Sequence, residues 1–136
     1  MTTAVPEVLF LCDHNAGRSQ MAAALLERAA GGRVVVHSAG SAPGETLNPA
    51  VVAVLAERGL DITGAVPKRL DDSIARGSDV VVTMGCGDAC PVHPGKRYLD
   101  WELADPAGRS IEEVRVIADE IERRVDALLD DLVGSG

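Results

Sequence analysis

Val8-Leu9-Phe10-Leu11-Cys12-Asp13-His14-Asn15-Ala16-Gly17-Arg18-Ser19-Gln20-Met21 decides the reading of this chain. Its first four residues are an uninterrupted apolar run, the pattern of a strand buried on both faces. From Ser19 onward the residues read as a helix, with Ala22, Leu25, Leu26 and Ala29 on one apolar face. The loop between them begins at Cys12 and ends at Arg18-Ser19. A helix N-terminus presents unpaired N–H groups and the positive end of the macrodipole. A loop curled over it is therefore a cradle for a phosphate-like anion. Arg18 adds a planar fork that matches two oxygens of a tetrahedral anion. Asn15 tolerates the left-handed region and can brace the loop with its amide. Gly17 is expected where a side chain would resist the backbone angle. The same positive field favours the thiolate of Cys12, and Ser19 is placed to hydrogen-bond its sulfur. The expected substrate-binding set is Asp13, His14, Asn15, Ala16, Gly17, Arg18 and Ser19, with Cys12 as nucleophile. Buried cysteines are common, and one cysteine with one arginine would mean little. Cys, Asn, Gly, Arg and Ser together, between a strand and a helix, carry the reading. His14 can raise the positive potential of the loop or simply face solvent.

Bulk properties narrow the classes. The chain has 136 residues, enough for one domain with a proper core. With one Trp, one Tyr and one Phe, that core must be packed mainly with aliphatic side chains. A net charge of −8 makes nucleic acid and acidic membranes poor partners, so any anion must be held by local field. No apolar run is long enough to span a membrane, and Met1 to Val8 lacks the form of a signal peptide. A cytoplasmic, reducing location is expected, where three cysteines point to catalysis, redox chemistry or metal binding rather than structure.

Working outward, Val34 to His37 reads as a second strand, followed by a surface loop from Ser38. Asn48-Pro49 is a helix start, cap then first-turn proline, with Val51, Val52, Leu55 and Ala56 facing inward and Gly59 at the end. Asp61 to Leu70 is expected to be irregular, and Asp71 to Ala75 a short helix. Asp79 to Met84 is a further buried strand, and Gly85 to Gly108 one long loop. Ser110-Ile111-Glu112-Glu113 is a capping box. It opens a helix to about Leu132 with Val114, Ile117, Ile121, Val125, Leu128 and Leu132 as its apolar stripe. Strands alternating with helices predict a parallel sheet covered by helices on both faces. Cys12 and the loop after Met84 then lie at carboxyl ends of strands, where such sheets bind ligands.

The C-x5-R-S loop after the first strand resembles that of the low-molecular-weight protein tyrosine phosphatases and of the arsenate reductases built on the same fold. The continuation Arg18-Ser19-Gln20-Met21 is closer to the reductases, since the phosphatases usually place a proline after the serine. The fold expected is α/β, a single domain over residues 1–136 with a central parallel four-stranded sheet and helices on both faces.

Cys86 and Cys90 sit four apart in Met84-Gly85-Cys86-Gly87-Asp88-Ala89-Cys90-Pro91. They could be passive. They could be half a zinc site, although His93 adds only a third ligand and no second pair exists. They could be a redox pair on a glycine-rich loop. The chain as a whole is similar to the three-cysteine, thioredoxin-coupled arsenate reductases. That resemblance implies Cys12 as nucleophile, Cys86 as first resolving thiol and Cys90 as last. Arg18 then binds the oxyanion, Asn15 braces the loop and Ser19 bonds the thiolate. The substrate implied is arsenate and the electron donor thioredoxin, with no cofactor. Two departures stand out. The C-x3-C spacing is tighter than in the best-known members, and Ala23 stands where some relatives place a glutamate that binds potassium, so no metal is expected.

Attack on an oxyanion needs a proton for the leaving oxygen. Asp105-Pro106 matches the general acid of the family, although Asp before Pro is also a common turn; Asp100 and Glu102 are the local rivals. Tyr98 and Trp101 either wall the site or cover core, and His37 and His93 have no assigned role. The leading expectation is a cytoplasmic arsenate reductase, with a tyrosine phosphatase as the alternative. Pro106-Ala107-Gly108 argues against the phosphatase, which usually places tyrosines beside the acid. A non-catalytic thiol sensor would leave Arg18 and the anion loop without a purpose.

Overall fold

The computed structural model of the chain describes residues 5–12, 15–40, 44–84 and 97–133. Four strands and four helices follow in the order β1 (Glu7–Cys12), α1 (Arg18–Ala30), β2 (Val35–Gly40), α2 (Pro49–Glu57), α3 (Asp72–Gly77), β3 (Val80–Thr83), β4 (Arg97–Asp100) and α4 (Ile111–Val133). All strand pairs are parallel, in the spatial order β2-β1-β3-β4. The chain leaves β1 toward β2 and then crosses to β3 on the other side. The sheet therefore reverses direction at the carboxyl end of β1, the crevice in which open α/β sheets bind ligands. Cys12 is the last residue of β1.

The side-chain alternation of β1 divides the core. Val8, Phe10 and Cys12 point into the larger cluster, with Met21, Leu25 and Leu26 of α1, Val51, Val54 and Leu55 of α2, and Ile117, Ile121 and Val125 of α4. Leu9 and Leu11 point the other way, against Ala39, Val81 and Ala75, with Leu70, Ile74 and Tyr98 partly covering them. Helices thus lie on both faces, as expected, with only the short α3 on the second. Val8, Leu9, Phe10 and Leu11 are at most 1% exposed, so the apolar run is buried on both sides. Burial of this kind contributes roughly 1.5–3 kcal/mol per large aliphatic or aromatic side chain.

Three elements differ from the sequence reading. β2 runs through Ser38-Ala39-Gly40, which were expected to open a surface loop; all three are buried and pair with Phe10, Leu11 and Cys12. Small residues read as turn formers, yet here they are the thin end of a strand under tertiary cover. β4 lies inside the stretch expected to be one long loop from Gly85 to Gly108. It is four residues long, pairs only with β3 and carries charge at both ends, so it has no periodicity to announce it. In α2 the third buried side chain is Val54, while Val52 is half-buried and Ala56 exposed.

The α-helical starts follow local chemistry. Asn48 Oδ1 accepts from the N–H groups of Ala50 and Val51, ahead of Pro49. Asp71 caps α3 through the N–H of Ser73. Ser110 and Glu113 form a reciprocal capping box, with Glu113 N–H on Ser110 Oγ at 3.2 Å and Ser110 N–H on Glu113 Oε1 at 3.1 Å. Arg58 reaches Asp119 and Glu122, and Arg115 reaches Glu57, which clamps the end of α2 onto α4. Exposed pairs of this kind add about 0.2–1 kcal/mol each, a small supplement to the burial of Val51, Val54 and Leu55. Among the described residues no helix is long and apolar enough to cross a membrane.

Candidate active site

Cys12 ends β1, 3% exposed, and its sulfur faces the start of α1. The chain turns there with Asn15 at φ +52°, the left-handed conformation expected of it and the one non-glycine residue in that region among those described. Gly17 is different. Its φ is −139° and its ψ −90°, so glycine is not there for a left-handed turn, although this pair lies outside the regions that residues with a side chain favour. Contact is a further reason: a Cβ added at Gly17 would stand 2.8 Å from Pro106 Cγ.

A hydrogen-bonded chain of buried polar side chains leads to the sulfur. The backbone N–H of Lys68 can only donate, and it bonds Asn15 Oδ1 at 2.8 Å. That fixes which end of the Asn15 amide is oxygen. Gln20 Nε2 bonds the same Oδ1 and the Asn15 carbonyl, both at 3.1 Å. Asn15 Nδ2 must then donate to Ser19 Oγ, at 2.8 Å. Ser19 Oγ accepts from Asn15 with one lone pair and lies 2.8 Å from Cys12 Sγ, where its one proton can be donated to a thiolate. The Asn15 N–H also points at Sγ, at 3.3 Å. Asn15 and Ser19 are both fully buried, and no buried side-chain nitrogen or oxygen among the described residues lacks a partner.

The start of α1 has the chemistry of an anion cradle. α2, α3 and α4 each have a side-chain cap, whereas Gly17 caps α1 with no side-chain hydrogen bond. The first-turn N–H groups of α1 have no carbonyl one turn back to bond. They open onto a cleft of about 350 Å³ lined by Cys12, Ala16, Gly17 and Arg18 on one side. Thr46, Leu47, Asn48 and Pro49 form the second wall, and Asp105, Pro106, Ala107 and Gly108 the third. Asn48 N–H donates to the Ala16 carbonyl at 2.9 Å and ties the second wall to the loop. Half-buried Arg18 puts Nη1 3.2 Å from the Leu103 carbonyl. Asp105 Oδ1 accepts from the Ala107 N–H at 3.0 Å, which holds the carboxyl at the mouth in an Asx turn. A larger groove of about 560 Å³ between β4 and α4 contains neither Cys12 nor Arg18.

The sequence model of the low molecular weight phosphotyrosine protein phosphatase family matches residues 7–135. The chain belongs to this family. Among curated relatives, a putative arsenate reductase of Halobacterium salinarum is 36% identical over 127 residues, covering 90% of this chain and 89% of the relative. A glutaredoxin arsenate reductase of Synechocystis is 32% identical over 126 residues, covering 90% and 95%. Among solved structures, a thioredoxin-dependent arsenate reductase of Corynebacterium glutamicum matches with a TM-score of 0.83 and 48% identity. The match covers 98% of this chain and 64% of that one, so this chain spans just under two thirds of that structure's length. The family's single-domain α/β fold with a four-stranded all-parallel sheet is the one observed here.

Of the residues singled out in the sequence, the fold brings together Cys12, Asn15, Ala16, Gly17, Arg18, Ser19 and Asp105. Asp13, His14, Cys86, Cys90 and His93 lie outside the described residues. Of the three candidate acids only Asp105 lines the cleft; Asp100 accepts from Thr83 Oγ1 and Glu102 is exposed elsewhere. Trp101 is core, 8% exposed and tilted against Phe10 with ring centroids 5.8 Å apart. Tyr98 covers the opposite face of the sheet, so neither aromatic walls the cleft. His37 is half-buried on β2, opposite Leu9. The sequence reading missed Gln20, Asn48 as a tie to Ala16, and the Lys68 N–H. The last two act across the fold and leave no local trace. Gln20 was visible only as a polar residue beside Met21, on a helix side that proves to be buried.

Proposed function

We propose that this protein reduces arsenate to arsenite. Cys12 attacks arsenic held by Arg18 and the first-turn N–H groups of α1, and forms a Cys12–S–As(V) adduct as one oxygen leaves. Asp105 supplies the proton that lets this oxygen depart as water. The Cys86 thiolate then attacks Cys12 Sγ. The sulfur–arsenic bond breaks, its electron pair goes to arsenic, and arsenite leaves with a Cys12–Cys86 disulfide behind. Attack of Cys90 on Cys86 moves the disulfide to Cys86–Cys90 and returns Cys12 as thiolate. A dithiol protein reduces the Cys86–Cys90 disulfide, with thioredoxin as the donor.

The observation that carries this reading is the 2.8 Å hydrogen bond between Ser19 Oγ and Cys12 Sγ beside an uncapped helix start. It equips one thiol both to attack an oxyanion and to leave as an anion. Met84 N–H donates to the Leu11 carbonyl at 2.7 Å, so the chain that carries Cys86 departs beside Cys12. Cys86 is two residues further on, within about 7 Å of chain. The cleft walls favour a small anion over an aryl phosphate. Leu47, Pro49, Pro106 and Ala107 supply its apolar surface, and no aromatic ring lines it among the described residues. The relatives named as arsenate reductases support the substrate, and two of them name different donors, thioredoxin and glutaredoxin. Phosphate would follow only the first half of the route, since thiols do not reduce P(V).

The test is single-turnover chemistry in Cys90→Ser protein. One equivalent of arsenite per chain and a Cys12–Cys86 disulfide, identified by peptide mass, are expected. Arsenite formation in Cys12→Ser, or full catalytic turnover in Cys90→Ser, would overturn the relay.

A further inference from the structure

We propose that Gly17 is a positioning residue for Asp105: the space where its side chain would be seats Pro106 on the oxyanion loop and so sets the place of the neighbouring carboxyl. The inference rests on the reading of Asp105 as the proton donor. Gly17 has φ −139° and ψ −90°, a pair that itself favours glycine, so the contact below acts beside a backbone preference that Pro106→Ala would leave untouched. A Cβ there would meet Pro106 Cγ at 2.8 Å, and Pro106 Cδ and Val51 Cγ2 at 3.7 Å. Carbon atoms settle at about 3.5–4.0 Å. Pro106 Cγ belongs to a closed ring that can yield only by changing pucker, so the backbone of the acid segment takes up what the pucker does not relieve.

Burial singles out the same contact. Between Glu102 and Glu113, Pro106 is the one buried residue, with exposed Asp105 before it and exposed Ala107 after it. It is a peg in an otherwise solvent-facing segment. Among the described residues a second tie between this segment and the loop is Arg18 Nη1 on the Leu103 carbonyl at 3.2 Å, from the residue next to Gly17. The bonds that shape the acid turn are internal to it. Ala107 N–H holds Asp105 Oδ1 at 3.0 Å, and Arg109 Nε holds the Asp105 carbonyl at 2.6 Å. A side chain at position 17 therefore lifts the turn as a unit, carrying the carboxyl away from the anion while the turn stays formed. A displacement near 1 Å can cost on the order of 100-fold in a positioned reaction.

The experiment is the single-turnover rate of arsenate-dependent disulfide formation in Gly17→Ala, Pro106→Ala, Asp105→Asn and their pairs. Inhibition by inorganic phosphate reports anion binding in each. Gly17→Ala is expected to slow the step roughly 10- to 100-fold while phosphate inhibition changes little. Adding Pro106→Ala should recover the part of the loss that the clash causes. Adding Gly17→Ala to Asp105→Asn should change the rate little, because the acid is already gone. The proposal is overturned by a Gly17→Ala enzyme as fast as wild type, by no recovery with Pro106→Ala, or by an equal slowing on the Asp105→Asn background. An Asp105→Asn enzyme as fast as wild type would instead remove the acid assignment, and this inference with it.

Discussion

Asn15→Asp tests the hydrogen-bonded chain to the nucleophile most sharply. The substitution keeps the size of the side chain and its tolerance of the left-handed backbone at φ +52°. It also keeps the acceptor for the Lys68 N–H and for Gln20 Nε2. What it removes is the donor to Ser19 Oγ, at 2.8 Å in the wild type. The Ser19 proton then has a carboxylate to bond in place of Cys12 Sγ. A hydrogen bond to a charged group contributes about 1.5–3 kcal/mol, which corresponds to roughly 10- to 150-fold in rate at 1.4 kcal/mol per factor of ten. A buried carboxylate near the sulfur acts in the same direction. Three donors face the new carboxylate, so the fold is retained, as a thermal melt will report. The assay is the single-turnover rate of disulfide formation with saturating arsenate at neutral pH. A rate within twofold of wild type in a folded Asn15→Asp protein would refute the directed chain, and with it the role given to Ser19.

Three further outcomes follow. Cys12→Ser abolishes arsenite formation, whereas Cys86→Ser and Cys90→Ser retain competitive inhibition by inorganic phosphate and lose multiple turnover, as steady-state kinetics will show. Trp101→Ala, which empties a core position against Phe10, costs about 3–5 kcal/mol of stability in urea unfolding. The N–H and hydroxyl of Ser110 hold the Glu113 carboxyl below its ordinary range. A carboxyl depressed in the folded state stabilises above its unfolded value and loses that contribution as pH falls through the folded one. Ser110→Ala therefore lowers the thermal midpoint at neutral pH, and its difference from wild type shrinks below about pH 4.

Local chemistry made much of the molecule legible in advance. The apolar run of β1 and Val80-Val81-Val82 of β3 read as buried strands because burial on both faces leaves no polar alternation. Asn48-Pro49, Asp71 and Ser110-Glu113 read as helix starts because capping is settled within four residues. The oxyanion loop read as a site because several scarce side-chain functions fell within one turn. What escaped was settled across the fold. β4 exists because β3 offers it an edge, and Ser38-Ala39-Gly40 is strand because β1 continues beside it. Gly17 reads as a backbone requirement, which φ −139° and ψ −90° fit, but its contact with Pro106, 89 positions away, leaves no local trace. Gln20 and the Lys68 N–H meet on an amide oxygen that no local pattern connects to either.

In the proposed relay Cys12 delivers electrons from a dithiol protein to arsenate. The direct measurement is arsenate-dependent NADPH oxidation by the purified protein with thioredoxin and thioredoxin reductase, with glutaredoxin and its reductase system in parallel. Sustained oxidation with thioredoxin, absent without arsenate and absent in Cys12→Ser and Cys90→Ser, is the predicted result. No arsenate-dependent oxidation with either donor, together with rapid hydrolysis of para-nitrophenyl phosphate, would contradict the account and leave a phosphatase in its place.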